Sequence, residues 1–346
     1  MVKSKLKLLM IKNTINMPLK SPSTIGEAAN AYLETVGLAR SQNTHDTYSF
    51  ALQAFLRVLR ARGIGPDTPA ATLPEDGISW FATSLKNHSP ATEHLYLQAA
   101  RGFYKFLVAE NLADMNLPRL DLLKQQRSRR PGVRLPQFPA DDIQNLLRYV
   151  SQAGFVPTSP ESEHLRALRD RAFLLALADT GLRVHEACQL RRGQIDWSES
   201  RALIVGKGNK EAVVRFSKRS LAALKNYLAA RSAADGSSGK ALAALPLFAR
   251  HDKGAGKKIK PISTATGRNI VLERVTQALG ESARHSITPH SLRHFFVTTV
   301  LRASGNLKLA QELARHASIQ VTQRYAHLSN DELDRGYHEI FEEQHE

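Results

Sequence analysis

Apolar residues recur at three- and four-residue intervals along most of this chain, the spacing that keeps them on one face of a helix. Between Ser21 and Leu112 the segments TIGEAANAYLETVG, THDTYSFALQAFLRVLRARG and SPATEHLYLQAARGFYKFLVAENL each do so behind a Ser or Thr start signal. They predict a compact all-helical module. A second helical run starts near Phe138 with PADDIQNLLRYV and continues through HLRALRDRAFLLALADTGLRVHEACQL, where Gly181 after Thr180 ends one helix before the next. Strand-like text is confined to QIDW, ALIV and EAVVRF, separated by the turns SESR and GKGN, which predicts a small antiparallel sheet of three strands. Helices resume at SLAALKNYLAAR and, after a Gly/Ser-rich loop and the basic turn HDKGAGKKIKP, run through ATGRNIVLERVTQALG, PHSLRHFFVTTVLRASG and LKLAQELARHA. The fold class is mainly α, in two domains.

Between them the text changes to NLPRLDLLKQQRSRRPGVRLP, with basic Arg119, Lys124, Arg127, Arg129, Arg130 and Arg134 against one acid and three prolines. This reads as an extended basic linker over residues 115–137, separating a first domain at 21–114 from a second at 138–330. A solvated connector is the plain reading of such a run, and composition shifts it. At 346 residues and 42% hydrophobic content the chain can build two cores, but lysine and arginine outnumber acids 48 to 32, for a formal charge of +16. That charge calls for a polyanionic partner, nucleic acid before a membrane surface. Arg127, Arg129, Arg130 and Arg134 become candidates to track DNA phosphates, with Lys210 in the hairpin turn. Residues 1–20 form a basic extension whose apolar run Leu8 to Ile11, closed by Lys12, is too short for a signal sequence. No stretch approaches membrane-spanning length, which points to the cytoplasm. The one cysteine, Cys188, lies in an apolar helical pattern and reads as a small core residue.

In ITPHSLRHFF, Thr288 is positioned to cap a helix with Pro289 at its first position. His290 then falls in the first turn, where free N–H groups favour an anion, and Arg293 shares its face. His290 and His294 have the spacing of a helical zinc site, but Ser291 stands where H-E-x-x-H needs glutamate and Arg293 adds positive charge, so neither metal nor cofactor is expected. TGLRVHEACQL sets Arg183 at a helix start with Glu186 three residues on, a pair that alone reads as a surface salt bridge. VGKGNKEA sets Lys207 between two glycines, alone an exposed hairpin lysine. Together these groups suit holding and neutralising a phosphodiester while something else attacks it. Tyr325, nine residues after His316, is a suitable attacker, because its phenolate can form a covalent phosphoester.

Over roughly Ser21 to the end the chain resembles the tyrosine recombinase (phage integrase) family, with Xer, Cre and the transposon and integron integrases as nearest models. Arg183 in TGLRVHEA matches the family's first arginine, Lys207 in GKGNK its hairpin lysine, and His290 and Arg293 in PHSLRH its H-x-x-R pair. His316 matches the second-box histidine and Tyr325 in RYAHLS the nucleophile. His185 and Ala187 stand where Ser and Leu are usual, and Arg315 where glycine is usual before His316; these departures are expected to touch packing and subfamily rather than the nucleophile or its helpers.

The resemblance implies a SAM-like core-binding domain, then a helical catalytic domain carrying the small sheet. It implies cleavage and rejoining of DNA strands through a 3′-phosphotyrosine and a Holliday junction, with Arg183, Lys207, His290, Arg293, His316 and Tyr325 catalytic and Glu186 supporting. The implied partners are duplex DNA bearing an inverted-repeat site and three further copies of the chain, a tetramer on two duplexes, with no membrane. The acidic tail DELDRGYHEIFEEQHE, residues 331–346, carries Leu333, Tyr337, Ile340 and Phe341 as one helical stripe, suited to docking on a neighbouring subunit or folding back on its own domain. Two alternatives to recombination remain: a type IB topoisomerase-like enzyme and a catalytically silent DNA-binding relative.

Overall fold

The structure, a computed structural model, describes residues 23–129, 139–152, 156, 160–205, 211–252, 258–316 and 318–323. The chain divides between Val133 and Arg134 into two compact units.

The first unit contains α1 (Ile25–Ala39), α2 (Gln42–Arg60), α3 (Gly77–Ser84), α4 (Pro90–Ala109) and α5 (Leu117–Arg127). Thr24 and Glu27 cap the start of α1 reciprocally, and Ser89 caps α4 with Pro90 next. α2 starts at Ser41, whose hydroxyl accepts from the Thr44 N–H, so Thr44 belongs to the first turn. α3 escaped the sequence pattern because eight residues are too few to show a period. Phe55 packs against Phe81 and Tyr104 with ring centroids 5.2 and 5.8 Å apart, and the Tyr104 hydroxyl donates to Pro74 O at 2.8 Å.

The segment expected to be extended is helical from Leu117 to Arg127. Its charges hid a period of three: Leu117, Leu120 and Leu123 close onto the first core, Leu120 completely buried. Asn116 caps this helix, and Arg119 pairs with Glu75 at 2.5 Å and Asp76 at 2.8 Å. Arg129 is also committed inward. Its Nε and backbone N–H donate to the fully buried Glu93 at 2.7 and 2.9 Å, and Lys86 reaches the same carboxylate at 3.0 Å. Arg127 is exposed. Arg130, Arg134 and residues 1–20 lie outside the described residues.

The second unit contains α6 (Ala140–Ser151), α7 (Glu161–Thr180), α8 (Val184–Gln189), β1 (Ile195–Asp196), β2 (Arg201–Val205), β3 (Glu211–Arg215), α9 (Lys218–Ala230), α10 (Ser232–Gly236), α11 (Thr264–Leu279), α12 (Pro289–Ser304), α13 (Leu307–Ala314) and α14 (Ile319–Gln323). α7 is buried continuously from Ala172 to Ala178, which makes it the central helix. The strands pair antiparallel in the order β1-β2-β3, with Ala202, Ile204 and Val214 facing the core. α11 lies close on α8 at Gly267, where a Cβ would meet Val184 at 2.9 Å and the Cys188 sulfur at 3.0 Å. Cys188 is buried as expected, and burial pushes its thiol up to about 12.

If α5 belongs to the first core, Leu120→Ala should lower unfolding stability by about 2–4 kcal/mol in urea titration. A loss under about 0.5 kcal/mol, as for an exposed side chain, would restore the extended linker.

Candidate active site

α7 ends at Gly181, which adopts φ +60°, and a Cβ there would meet the Phe296 ring at 2.4 Å. Only glycine fits this turn. The chain passes directly into α8, with Arg183 at its N-cap. Glu186 reaches back from the third position of α8: its carboxylate accepts from the Arg183 backbone N–H and from Arg183 Nη1, both at 2.8 Å. The sequence pattern suggested a surface pair, but the two partners differ sharply. The Arg183 side chain is 42% exposed and that of Glu186 only 2%.

Thr288 caps α12 with Pro289 following, as expected, so His290 and Arg293 lie in its first turns. Arg293 is buried, and its guanidinium donates to the main-chain carbonyls of Gly181 and Ala314. Those carbonyls terminate α7 and α13, where helices leave acceptors unused. His290 stacks edge-on against His294 with centroids 4.1 Å apart. His316 follows α13, its backbone N–H bonded to Gln311 O at 3.1 Å and its Nδ1 2.8 Å from the Thr322 hydroxyl on α14.

Arg315 departs from the expectation that it leaves the nucleophile's helpers untouched. Its Nη2 donates to Glu186 Oε2 at 3.0 Å and to Gly181 O at 3.2 Å, so it supports the same groups as Arg183 and Arg293. Burial would raise the Glu186 carboxyl, but the Arg183 backbone bond and the charges of Arg315 and Arg183 outweigh it and hold the group below its usual range. A cleft of about 450 Å³ adjoins this cluster, lined by Arg183, Arg293, His290, Arg268, Arg284 and His285 among others, with no carboxylate among its described lining residues. Sequence reasoning missed Arg268, Arg284, His285 and Thr322, which belong to no motif and meet the site only through folding. Arg183, Glu186, His290, Arg293 and His316 are brought into one neighbourhood. Lys207, Lys210 and Tyr325 lie outside the described residues, as does the tail at 331–346.

His290, His294 and His316 are each pushed toward neutrality. Burial, then Arg293 and Arg183, bring His316 down to about 4; burial, then His290 and Arg293, bring His294 to about 4; His290 is lowered by partial burial, Arg293 and Arg183. An ordinary histidine titrates near 6.5, so between about pH 6.5 and 4 the unfolded chain binds more protons than the folded one. Stability present above the unfolded value is therefore lost as pH falls through this window. The melting temperature should drop between pH 7 and 5, and the double variant His294→Gln, His316→Gln should show a shallower drop. An unaltered slope in that variant would refute the shifts.

Among the described residues no helix is long and apolar enough to cross a membrane. Residues 138–332 match the Phage integrase family, and residues 29–111 match the Phage integrase, N-terminal SAM-like domain. Tyrosine recombinase XerC of Alcanivorax borkumensis is 31% identical over 315 residues, which cover 90% of this chain and 92% of that protein. XerC of Pediococcus pentosaceus is 35% identical over 246 residues, 71% of this chain and 74% of that one. The XerH site-specific recombinase, solved bound to its difH substrate in a pre-cleavage complex, shares the fold with a TM-score of 0.62 at 19% identity, over 96% of this chain and 88% of that one. The chain thus belongs to the phage integrase family and is a tyrosine site-specific recombinase.

Proposed function

We propose that Tyr325 attacks the scissile phosphate of duplex DNA, giving a 3′-phosphotyrosine and a 5′-hydroxyl, and that the 5′-hydroxyl of a partner duplex then displaces the tyrosine. One observation carries this reading: Arg183, Arg293 and His290 line a cationic cleft, and the nearby carboxylate is already saturated by arginines. Arg183 and Arg293 neutralise the non-bridging oxygens as charge develops. His290 and His316 hydrogen-bond those oxygens and assist the movement of the phenolic proton. The Thr322 hydroxyl lies 2.8 Å from Nδ1 and can donate there; in that tautomer the neutral His316 carries its proton on Nε2 and offers it to the phosphate. Lys207 supplies the proton that the leaving 5′-oxygen takes up. Glu186 aims Arg183 rather than reacting.

DNA enters as partner through charge, with the exposed Arg127 joined by Arg130, Arg134 and Lys210 on the backbone; Arg129, neutralised by Glu93, contributes least. Four copies act on two duplexes carrying inverted-repeat sites, in the cytoplasm, and the 331–346 helix docks on the next subunit to close the ring.

A nicked suicide duplex tests the chemistry. The wild type should accumulate a covalent protein–DNA adduct and join it to a second, different duplex; Tyr325→Phe should form none while half-site binding stays within about threefold. An adduct that never joins another duplex would mark a topoisomerase, no adduct at all a binding protein, and an adduct with Tyr325→Phe would remove that residue from its role. In the same assay Lys207→Ala should be slow on the ordinary substrate and regain most of its rate with a 5′-thiol leaving group, which needs no proton. Absence of rescue would exclude Lys207 as the acid. Truncation after Asn330 should spare half-site binding and abolish cooperative assembly; equal loss of both would place the tail on its own domain.

A further inference from the structure

Arg315 carries three separate penalties. Its backbone sits at φ +57°, in the left-handed region that a side chain other than glycine's disfavours. Its side chain is only 11% exposed, so the charge has lost most of its hydration. Its Nε and Nη1 are buried without a hydrogen-bond partner among the described residues. A glycine would end α13 at lower cost. Unusual backbone conformations of this kind persist where the surroundings enforce them, commonly at functional sites.

What the residue does make is one doubly placed arm. Nη2 touches both Glu186, which grips Arg183, and the Gly181 carbonyl, which supports Arg293. The two unpaired nitrogens are closed to solvent, so a DNA oxygen does not reach them, and Arg315 acts on the site from behind.

We propose that Arg315 is a positioning residue for phosphoryl transfer: through Glu186 and the Gly181 carbonyl it fixes the spacing and aim of the Arg183 and Arg293 guanidinium groups. The inference rests on the reading that these two arginines neutralise the scissile phosphate. It also separates this chain from relatives with glycine there, in which Glu186 and Gly181 would lack this brace.

Arg315→Gly suits the local backbone, which removes misfolding as the obvious failure. The measurements are single-turnover adduct formation on the nicked suicide duplex, half-site binding and melting temperature. The expected result is a melting temperature no lower than wild type, binding within about threefold, and adduct formation slowed roughly 10- to 100-fold, the scale on which misplaced catalytic groups lose rate. Arg315→Lys, whose ammonium can donate from one nitrogen as Nη2 does but sits on a shorter stem, should recover part of the loss. Combining Arg315→Gly with Glu186→Gln should slow the step by clearly less than the product of the two single effects, because the two variants share the Arg315–Glu186 contact. A wild-type rate in Arg315→Gly, a loss that merely tracks melting temperature or binding, or multiplicative effects in the double variant would each overturn the proposal. A wild-type protein that forms no adduct would instead overturn the phosphotyrosine reading, and this inference with it.

Discussion

Glu186 sits buried between Arg183 and Arg315, a single negative charge facing two guanidinium groups, with the buried Arg293 bonded to the same Gly181 carbonyl as Arg315. Like charges about 4 Å apart repel by roughly 4 kcal/mol at an effective dielectric near 20, so such a cluster needs compensation to exist. The carboxylate supplies part. The carbonyl dipoles of Gly181 and Ala314, each at a helix end with spare acceptor capacity, supply more. The compensation is incomplete, and the excess positive charge adds to burial, the larger cause, in lowering His290, His294 and His316. An arriving phosphate would cancel that excess and ease protonation of the same histidines.

Arg183 and Arg293 are held in different ways, and their exposure follows. Arg293 is locked to two main-chain carbonyls and has no freedom to follow a ligand. Arg183 is anchored by its backbone N–H and one guanidinium nitrogen, leaving much of its side chain open to solvent. A lysine at position 293 could not bridge two divergent carbonyls, since only a planar fork presents donors at that separation. Gly181 ties both together: it ends α7, turns the chain into α8 and lends its carbonyl, so its lack of a side chain serves geometry and electrostatics at once.

Much of this was legible in the sequence because it rests on local signals. The Thr288-Pro289 start of α12, the Gly181 break and the strand pairing are each specified within a few residues, and the H-x-x-R spacing fixes a helix face without knowledge of the fold. What escaped was set at long range. Arg315 lies 129 positions from Glu186, and nothing near it in the chain announces their contact. The short α3 gave too few residues for a period, and α5 was masked by its own charges. In both cases burial by distant partners, not local preference, decides the structure.

The masking at α5 also corrects what a formal charge of +16 means for DNA binding. Formal charge counts residues, whereas the field a phosphate meets depends on which of them lack an internal counter-ion. In the basic run, Arg119 faces Glu75 and Asp76, and Arg129 faces the buried Glu93. Their charges stabilise the first unit and are largely spent before DNA arrives. Pairing of this kind fixes where the helix lies on its core, so the exposed Arg127 stands at the end of an anchored helix. Up to Arg129 the segment thus works as an anchor on the first core.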